Sequence, residues 1–311
     1  MQHIYGLQDA NVSGVWLSIG SFDGVHLGHQ SIINKLTAGA HAAGAPAVVL
    51  TFYPHPSVVL RGPRESFYLT TPEEKAELLG ELGVDLVITH PFNQEVAQMS
   101  AEDFIGQLVK HLTLAQLWVG YDFSLGRDRE GNLPKLKEIG EKPEYNFSVH
   151  EVSALLSGGA VVSSSRIRSL LEAGDIESPA SLLGRSFSIS GEVVKGEGRG
   201  RKLGIPTANL SIAKERVVPG AGVYAGFVTH QGKSYPAVTN IGVRPTFEDL
   251  PVAPRAESHI LDFNEDLYGE EINLSFIARL RSEMRFESVE ALMAQINLDI
   301  EKAREVLKDI N

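Results

Sequence analysis

Val15-Trp16-Leu17-Ser18-Ile19-Gly20-Ser21-Phe22-Asp23-Gly24-Val25-His26-Leu27-Gly28-His29 joins an apolar run to a glycine-bracketed turn and two histidines. The run Val15–Gly20 predicts a strand and the residues after His26 predict a helix, so the segment reads as the first strand-to-helix turn of a parallel sheet. A helix start offers free backbone N–H groups and the positive end of the dipole, which favours an anion. His26 and His29, three residues apart, can face the same way there, and Gly28 lets a phosphate approach the backbone. Gly20, Ser21, Phe22 and Asp23 complete a candidate nucleoside-triphosphate site. On its own an H-x-x-H pair is more often a surface or capping feature. A zinc reading finds no cysteine and no third ligand at metal-site spacing.

Working outward, strands are expected at Val15–Gly20, Ala47–Phe52, Asp85–Thr89, Gln116–Gly120 and Asn146–Val152, alternating with helical patterns. Pro72–Leu82 carries Leu78, Leu79 and Leu82 at helical spacing, and Ser100 with Asp103 opens another helix as a variant capping box. This alternation predicts a doubly wound half. A helical stretch is expected at Arg166–Ala173, ended by Gly174. The short, polar, proline-containing segment Asp175–Ser186 predicts the domain boundary. Beyond it, Ser188–Val194, Gly222–His230, Ser234–Ile241, Ser258–Phe263 and Glu271–Leu280 are short strands punctuated by Gly, Pro and Asn, the pattern of an antiparallel barrel. A last amphipathic helix places Leu292, Ile296, Ile300, Ala303 and Leu307 on one stripe, suited to packing over the barrel.

Two further elements handle phosphate. Ser163-Ser164-Ser165 precedes Arg166-Ile167-Arg168 at another helix start, where hydroxyls and N–H groups suit phosphate oxygens and Arg168 suits leaving-group charge. In the second half Gly196, Gly198, Gly200, Lys202 and Gly204 belong to a basic, glycine-rich loop that runs into Pro206-Thr207-Ala208-Asn209. Glycines there expose backbone N–H groups to phosphates. Thr207 and Asn209 share one face of an extended segment, and two oxygens so placed suit Mg²⁺ bridging the phosphates of ATP. Each element by itself is also compatible with an ordinary helix cap or hairpin tip.

The chain has 311 residues, 43% hydrophobic and 22% charged, which accommodates two ordinary globular domains. Its net charge of −11 opposes nonspecific nucleic-acid binding. No apolar run approaches bilayer-spanning length and the N-terminus lacks signal-peptide character, so the expectation is a cytoplasmic protein with neither a membrane nor a nucleic-acid partner. Zero cysteines exclude disulfides and thiolate metal sites and fit that compartment. Composition leaves the oligomeric state open.

The strand-turn-H-x-G-H-helix context resembles the adenylyltransferase superfamily, in which the two histidines stabilise charge on the α-phosphate of ATP. Val162-Ser163-Ser164-Ser165-Arg166-Ile167-Arg168 is similar to the I-S-S-T-x-I-R element. Leu50-Thr51-Phe52-Tyr53-Pro54-His55-Pro56 and Val119-Gly120-Tyr121-Asp122-Phe123-Ser124-Leu125-Gly126 extend the resemblance. Together they resemble the N-terminal half of the prokaryotic bifunctional riboflavin kinase/FAD synthetase family. That implies a flavin pocket lined by Pro54, Pro56, Asp122, Phe123 and Leu125, with Leu125 standing where the family usually has phenylalanine.

The G-I-P-T-A-N run resembles the kinase half of the same family. So do Asn240-Ile241-Gly242-Val243-Arg244-Pro245-Thr246, Glu257-Ser258-His259 and Leu280-Arg281-Ser282-Glu283-Met284-Arg285-Phe286. By that resemblance Glu257 activates the ribityl 5′-hydroxyl and Arg281 approaches the phosphate end of the flavin. The fold implied is an α/β doubly wound, Rossmann-like nucleotidyltransferase domain at 1–184, followed by a mostly β, six-stranded-type barrel with a terminal helix at 185–311. The implied catalytic residues are His26, His29 and Glu257. The implied substrates and products are ATP, riboflavin, FMN and FAD, with Mg²⁺ as cofactor. Activity at only one of the two sites stays open, as do a nucleic-acid-binding barrel and a flavin-binding regulator without chemistry.

Overall fold

The computed structural model describes residues 1–62, 64–196, 200, 203–242 and 255–310. Contacts divide the chain into two compact units, Met1–Arg64 with Leu69–Ser164, and Glu65–Tyr68 with Ser165–Asn311.

In the first unit, β1 (Gln2–Tyr5), β2 (Trp16–Ile19), β3 (Ala47–Tyr53), β4 (Leu86–Pro91), β5 (Gln116–Gly120) and β6 (Ser148–Val152) form a sheet ordered β1-β4-β3-β2-β5-β6. Every pairing in it is parallel, and β7 (Leu156–Ser157) and β8 (Ala160–Val161) form a separate two-stranded antiparallel sheet. The central strands read as continuous apolar runs because both faces are covered. On one face Leu17, Val48, Leu50 and Ile88 join a core with Phe104, Ile105 and Leu108; on the other, Val49 and Val87 pack with Ile33, Leu36 and Leu79. The helices supplying those faces are α1 (Leu27–Ala42), α3 (Pro72–Glu81) and α5 (Ala101–Leu112); α2 (Pro56–Arg61) and α4 (Gln94–Gln98) are shorter, and α6 (Leu133–Gly140) lies beside β6. A capping box of Thr71 and Glu74 starts α3, with Pro72 in its first turn. Ser100 accepts from the Asp103 N–H to start α5. Since β3 and β5 flank β2, the winding direction reverses at β2, and ligand crevices form beyond the carboxyl ends of strands at such a point.

In the second unit, β9 (Phe187–Val194), β10 (Ala208–Ser211), β11 (Gly222–His230), β12 (Lys233–Gly242), β13 (Arg255–Ile260) and β14 (Glu271–Arg281) close a barrel ordered β10-β13-β12-β11-β14-β9. Tyr224 and Phe276 are fully buried and meet edge to face, with Phe276 stacked near Phe187. Val223, Ala225 and Val238 pack instead with Ala303 and Leu307 of the C-terminal helix (Val289–Leu307).

Two local expectations change. β1 is an additional edge strand, paired with β4 through Gln2 to Tyr5, and its short polar sequence carries no apolar alternation. Asp175–Ser186 is not a plain linker: it contains helix α8 (Glu177–Leu183), following α7 (Ser164–Glu172), and buries Pro179, Leu182 and Leu183. Proline is tolerated there because the first-turn N–H groups have no intrahelical partner. By contacts, residues 165–184 group with the barrel.

Candidate active sites

The turn between β2 and α1 is held from below by buried polar groups. The Asp23 carboxylate, 1% exposed, accepts from the backbone N–H groups of Leu69 at 2.9 Å and Thr70 at 3.2 Å. Gly24 N–H donates to Thr70 Oγ1 at 3.1 Å, Thr51 Oγ1 to the Ser21 carbonyl at 3.0 Å, and Lys75 Nζ to Thr51 Oγ1 at 3.2 Å. Phe22 is buried in the α1 side of the core and meets His29 edge-on at 5.2 Å. The side chains of Phe22 and Asp23 thus point inward and support the turn. Thr51, Thr70 and Lys75 are part of this support and were not singled out from sequence; their one legible signal is a lysine inside an apolar helical pattern.

Above the support lie the two histidines. His26 is the N-cap of α1, its Nδ1 accepting from the His29 backbone N–H at 3.3 Å. An accepting Nδ1 leaves the proton of the neutral ring on Nε2. The His29 ring stacks on His26 with centroids 3.6 Å apart, and its Nδ1 is buried without a hydrogen-bond partner among the described residues. Burial, then the His26 and Lys75 charges, hold the His29 pKa well below the usual imidazole value. Burial likewise lowers Lys75 to about 8, opposed by Asp23. A Cβ on Gly28 would sit 3.1 Å from the His26 ring, so only hydrogen fits without a shift. Ser164 Oγ donates to the Asp23 carbonyl at 2.9 Å, which brings the serine element to the turn; Ser163 is half-buried beside it. Ser165 and Arg168 fall in the second unit, where Arg168 donates to Ser165 Oγ and lies 4.4 Å over the Phe67 ring.

Pro54 and Pro56 follow β3, and Asp122, Phe123 and Leu125 follow β5, so these loops leave the same sheet end on either side of β2. Pro54 and Asp122 are exposed. Leu125 exchanges backbone hydrogen bonds with Gly131, and its side chain packs with Phe123 against the α5 side of the core.

In the barrel, strand register builds the second site. Glu257 is level with Asn209 on one side and Asn240 on the other, and Val223 is level with both Asn240 and Arg281. Directly paired residues project from the same face, so one row carries Asn209, Glu257, Asn240, Val223 and Arg281. His259 Nδ1 lies 2.8 Å from the Pro206 carbonyl. A cavity of about 660 Å³ is lined by Thr207, Asn240, Glu257, Arg281 and Phe286, among others. A second, of about 410 Å³, is lined by Gly196, Pro206, Thr207, Ala208 and Asn209, so Thr207 borders both. A Cβ on Gly196 would lie 2.5 Å from the Asn209 amide, and one on Gly200 would lie 2.3 Å from the Ile205 carbonyl. Gly204 has φ +77°, the left-handed region that favours glycine. Gly198, Lys202 and Val243–Thr246 lie outside the described residues. Asn240 and the helix residue Asp299 complete the pocket wall, and Asp299 was detectable as a charge beside an apolar stripe.

Sequence comparisons match each half of the chain to a known family. A family model described as FAD synthetase matches residues 8–166, and one described as riboflavin kinase matches residues 183–307. The chain is 38% identical to the bifunctional riboflavin kinase/FMN adenylyltransferase of Escherichia coli K12, covering 97% of this chain and 96% of the relative. It is 36% identical to the protein of that name from Bacillus subtilis, covering 92% and 90%, and 39% identical to that from Pseudomonas fluorescens, covering 98% and 97%. Among solved structures, one titled a macrolide-efflux protein from Streptococcus pneumoniae superposes with a TM-score of 0.88 at 29% identity, covering 98% of this chain and 99% of that one. No helix among the described residues of the present chain is long and apolar enough to cross a membrane. With two family models in order and near-full-length relatives above 30% identity, the chain belongs to the bifunctional riboflavin kinase/FMN adenylyltransferase family.

Proposed function

We propose that this chain makes FMN and then FAD, phosphorylating riboflavin in a kinase domain at 185–311 and adenylylating FMN in a domain at 1–184. The observation that carries the kinase assignment is the register of β10, β13 and β12, which sets Glu257 between Asn209 and Asn240 at the wall of a cavity. Glu257 takes the proton of the ribityl 5′-hydroxyl as its oxygen bonds to the γ-phosphorus and the bond to ADP breaks. Thr207 and Asn209 would hold Mg²⁺. Their donors are hard oxygens, and Gly196 leaves the Asn209 amide room that a Cβ would fill. Bound there, the cation supplies charge neutralisation for the ATP phosphates. The backbone of Gly196, Gly200 and Gly204 would line the phosphate path.

In the adenylyltransferase reaction an FMN phosphate oxygen bonds to the α-phosphorus of ATP and pyrophosphate leaves. His26 and His29 supply N–H donors toward the α-phosphoryl oxygens, where charge builds in the transition state. A neutral ring still donates from one nitrogen, so the depressed His29 pKa does not prevent donation. Gly28, Ser163 and Ser164 would meet the remaining phosphate oxygens, and Pro54, Pro56 and Asp122 would border the flavin. Both reactions draw on ATP, which suits a cytoplasmic location. Incubating the protein with riboflavin and Mg-ATP and resolving the products tests the proposal. FMN followed by FAD supports it, and FMN without any FAD leaves a kinase alone.

A further inference from the structure

The C-terminal helix buries one carboxylate on the face it turns to the barrel. Asp299 is 4% exposed beside the stripe of Ile296, Ile300 and Ala303, where an isolated charge is costly. Its partner is Arg281 of β14. Arg281 Nε lies 3.1 and 3.0 Å from the two carboxylate oxygens, and a terminal nitrogen lies 2.9 Å from Oδ2. Gln295 Nε2, one turn earlier on the helix, donates to Oδ1 at 2.9 Å. The other terminal nitrogen donates to the Ser282 carbonyl at 3.0 Å, and the guanidinium carbon lies 5.7 Å from the Phe286 ring centroid.

Arg281 is thus neutralised at contact distance and has committed most of its donors within the protein. Such a group is a flat wall for an aromatic ring and a poor trap for a phosphate. The balance matters because Glu257 shares the cavity. The described charged lining is Glu257, Glu283 and Asp299 against Arg281 and Arg285. Deleting the Asp299 charge leaves two acidic groups against two basic ones, with Arg281 uncompensated. Riboflavin is uncharged, whereas its phosphorylated product carries close to two negative charges at neutral pH.

We propose that Asp299 is a specificity-determining residue of the kinase pocket: by neutralising Arg281 it makes the pocket favour uncharged riboflavin over the phosphorylated product. Gln295 is a positioning residue that fixes the carboxylate for this role. The inference rests on the assignment of this cavity as the riboflavin site.

The test uses the full chain and reads ADP release, which only the kinase reaction produces. The KM for riboflavin and the inhibition constant of added FMN competing with riboflavin are measured for the wild type, Asp299→Asn, Arg281→Gln, the double variant, and Glu301→Gln as a charge control on the exposed side of the same helix. In Asp299→Asn the ratio of FMN inhibition constant to riboflavin KM should fall about tenfold, the size expected when a unit charge about 10 Å from a dianion is removed in a partly hydrated site. Arg281→Gln, which leaves the carboxylate unmatched, should raise the ratio by a similar factor. The double variant should return toward the wild-type ratio, and Glu301→Gln should leave it in place. A purely structural role would move both constants the same way in both single variants. A ratio that stays within twofold in either folded single variant, or shifts in the same direction in both, overturns the proposal. If one single variant does not fold, the sign of the shift in the other decides. Wild-type protein that releases no riboflavin-dependent ADP would instead remove the kinase assignment itself.

Discussion

The imidazoles of His26 and His29 stack with their centroids 3.6 Å apart and their planes 16° from parallel. Two rings that close cannot both carry a proton cheaply, and burial adds to the penalty at His29. Both rings are therefore favoured in the neutral form, with His26 oriented by the α1 cap.

The first prediction concerns acid. The folded His29 pKa lies well below the unfolded value, so the unfolded chain binds the extra proton more readily as pH falls. The associated stability is fully present above about 6.5, the ordinary imidazole value, and is lost as pH drops below it. The loss has a limiting slope of about 1.4 kcal/mol per pH unit for one proton. Denaturant midpoints of the wild type between pH 7.5 and 5 should fall more steeply than those of His29→Gln. Parallel curves would contradict the assignment.

Lys75 makes the opposite end of the pH range informative. Its folded pKa is about 8 against an ordinary 10.5, so its contribution is present above 10.5 and lost as pH falls from there toward 8. Stability should gain on the order of 1 kcal/mol per pH unit across that window from this group. Lys75→Met should remove the gain, as read from chemical denaturation at pH 8, 9 and 10. The comparison between the two proteins isolates Lys75 from other groups that titrate in alkali.

The metal assignment predicts that Thr207→Val combined with Asn209→Leu abolishes Mg-ATP-dependent phosphorylation of riboflavin while leaving the barrel folded. Both changes keep approximate volume and delete the oxygens a hard cation needs. Far-UV circular dichroism should be unchanged, and FAD formation from supplied FMN should persist. Retained phosphorylation at a normal Mg²⁺ requirement would reduce the segment to a structural turn.

The sequence exposes both sites to different depths. Gly20–His29 could be read as an anion site because a strand, a glycine turn and a helix start are local features, and local features survive folding. What that reading missed is how Asp23 and Phe22 serve the turn: their inward orientation depends on Leu69, Thr70 and Phe22's neighbours in α1 and α3, which come together only in three dimensions. β1 was invisible because a polar edge strand has no alternation to detect. α8 was hidden by Pro179, a residue that marks loops as often as first turns. In the barrel, Thr207 and Asn209 announced themselves by i, i+2 spacing. The alignment of Glu257 with Asn209 and Asn240 is a matter of register, and the pairing of Asp299 with Arg281 joins the C-terminal helix to a strand. Neither can be read from spacing along the chain.

The central claim is that two reactions run at two different sets of residues, and a crossed comparison of two variants tests it most directly. His29→Ala and Glu257→Gln are each supplied with riboflavin and Mg-ATP, and separately with FMN and Mg-ATP, and the FMN and FAD formed are separated and quantified. His29→Ala should accumulate FMN at a near wild-type rate while FAD formation falls roughly 10²–10³-fold, the usual cost of one transition-state donor. Glu257→Gln should lose about 10²–10⁴-fold in FMN formation, the range for a general base, while converting supplied FMN to FAD normally. Equal loss of both products in either folded variant would contradict the account.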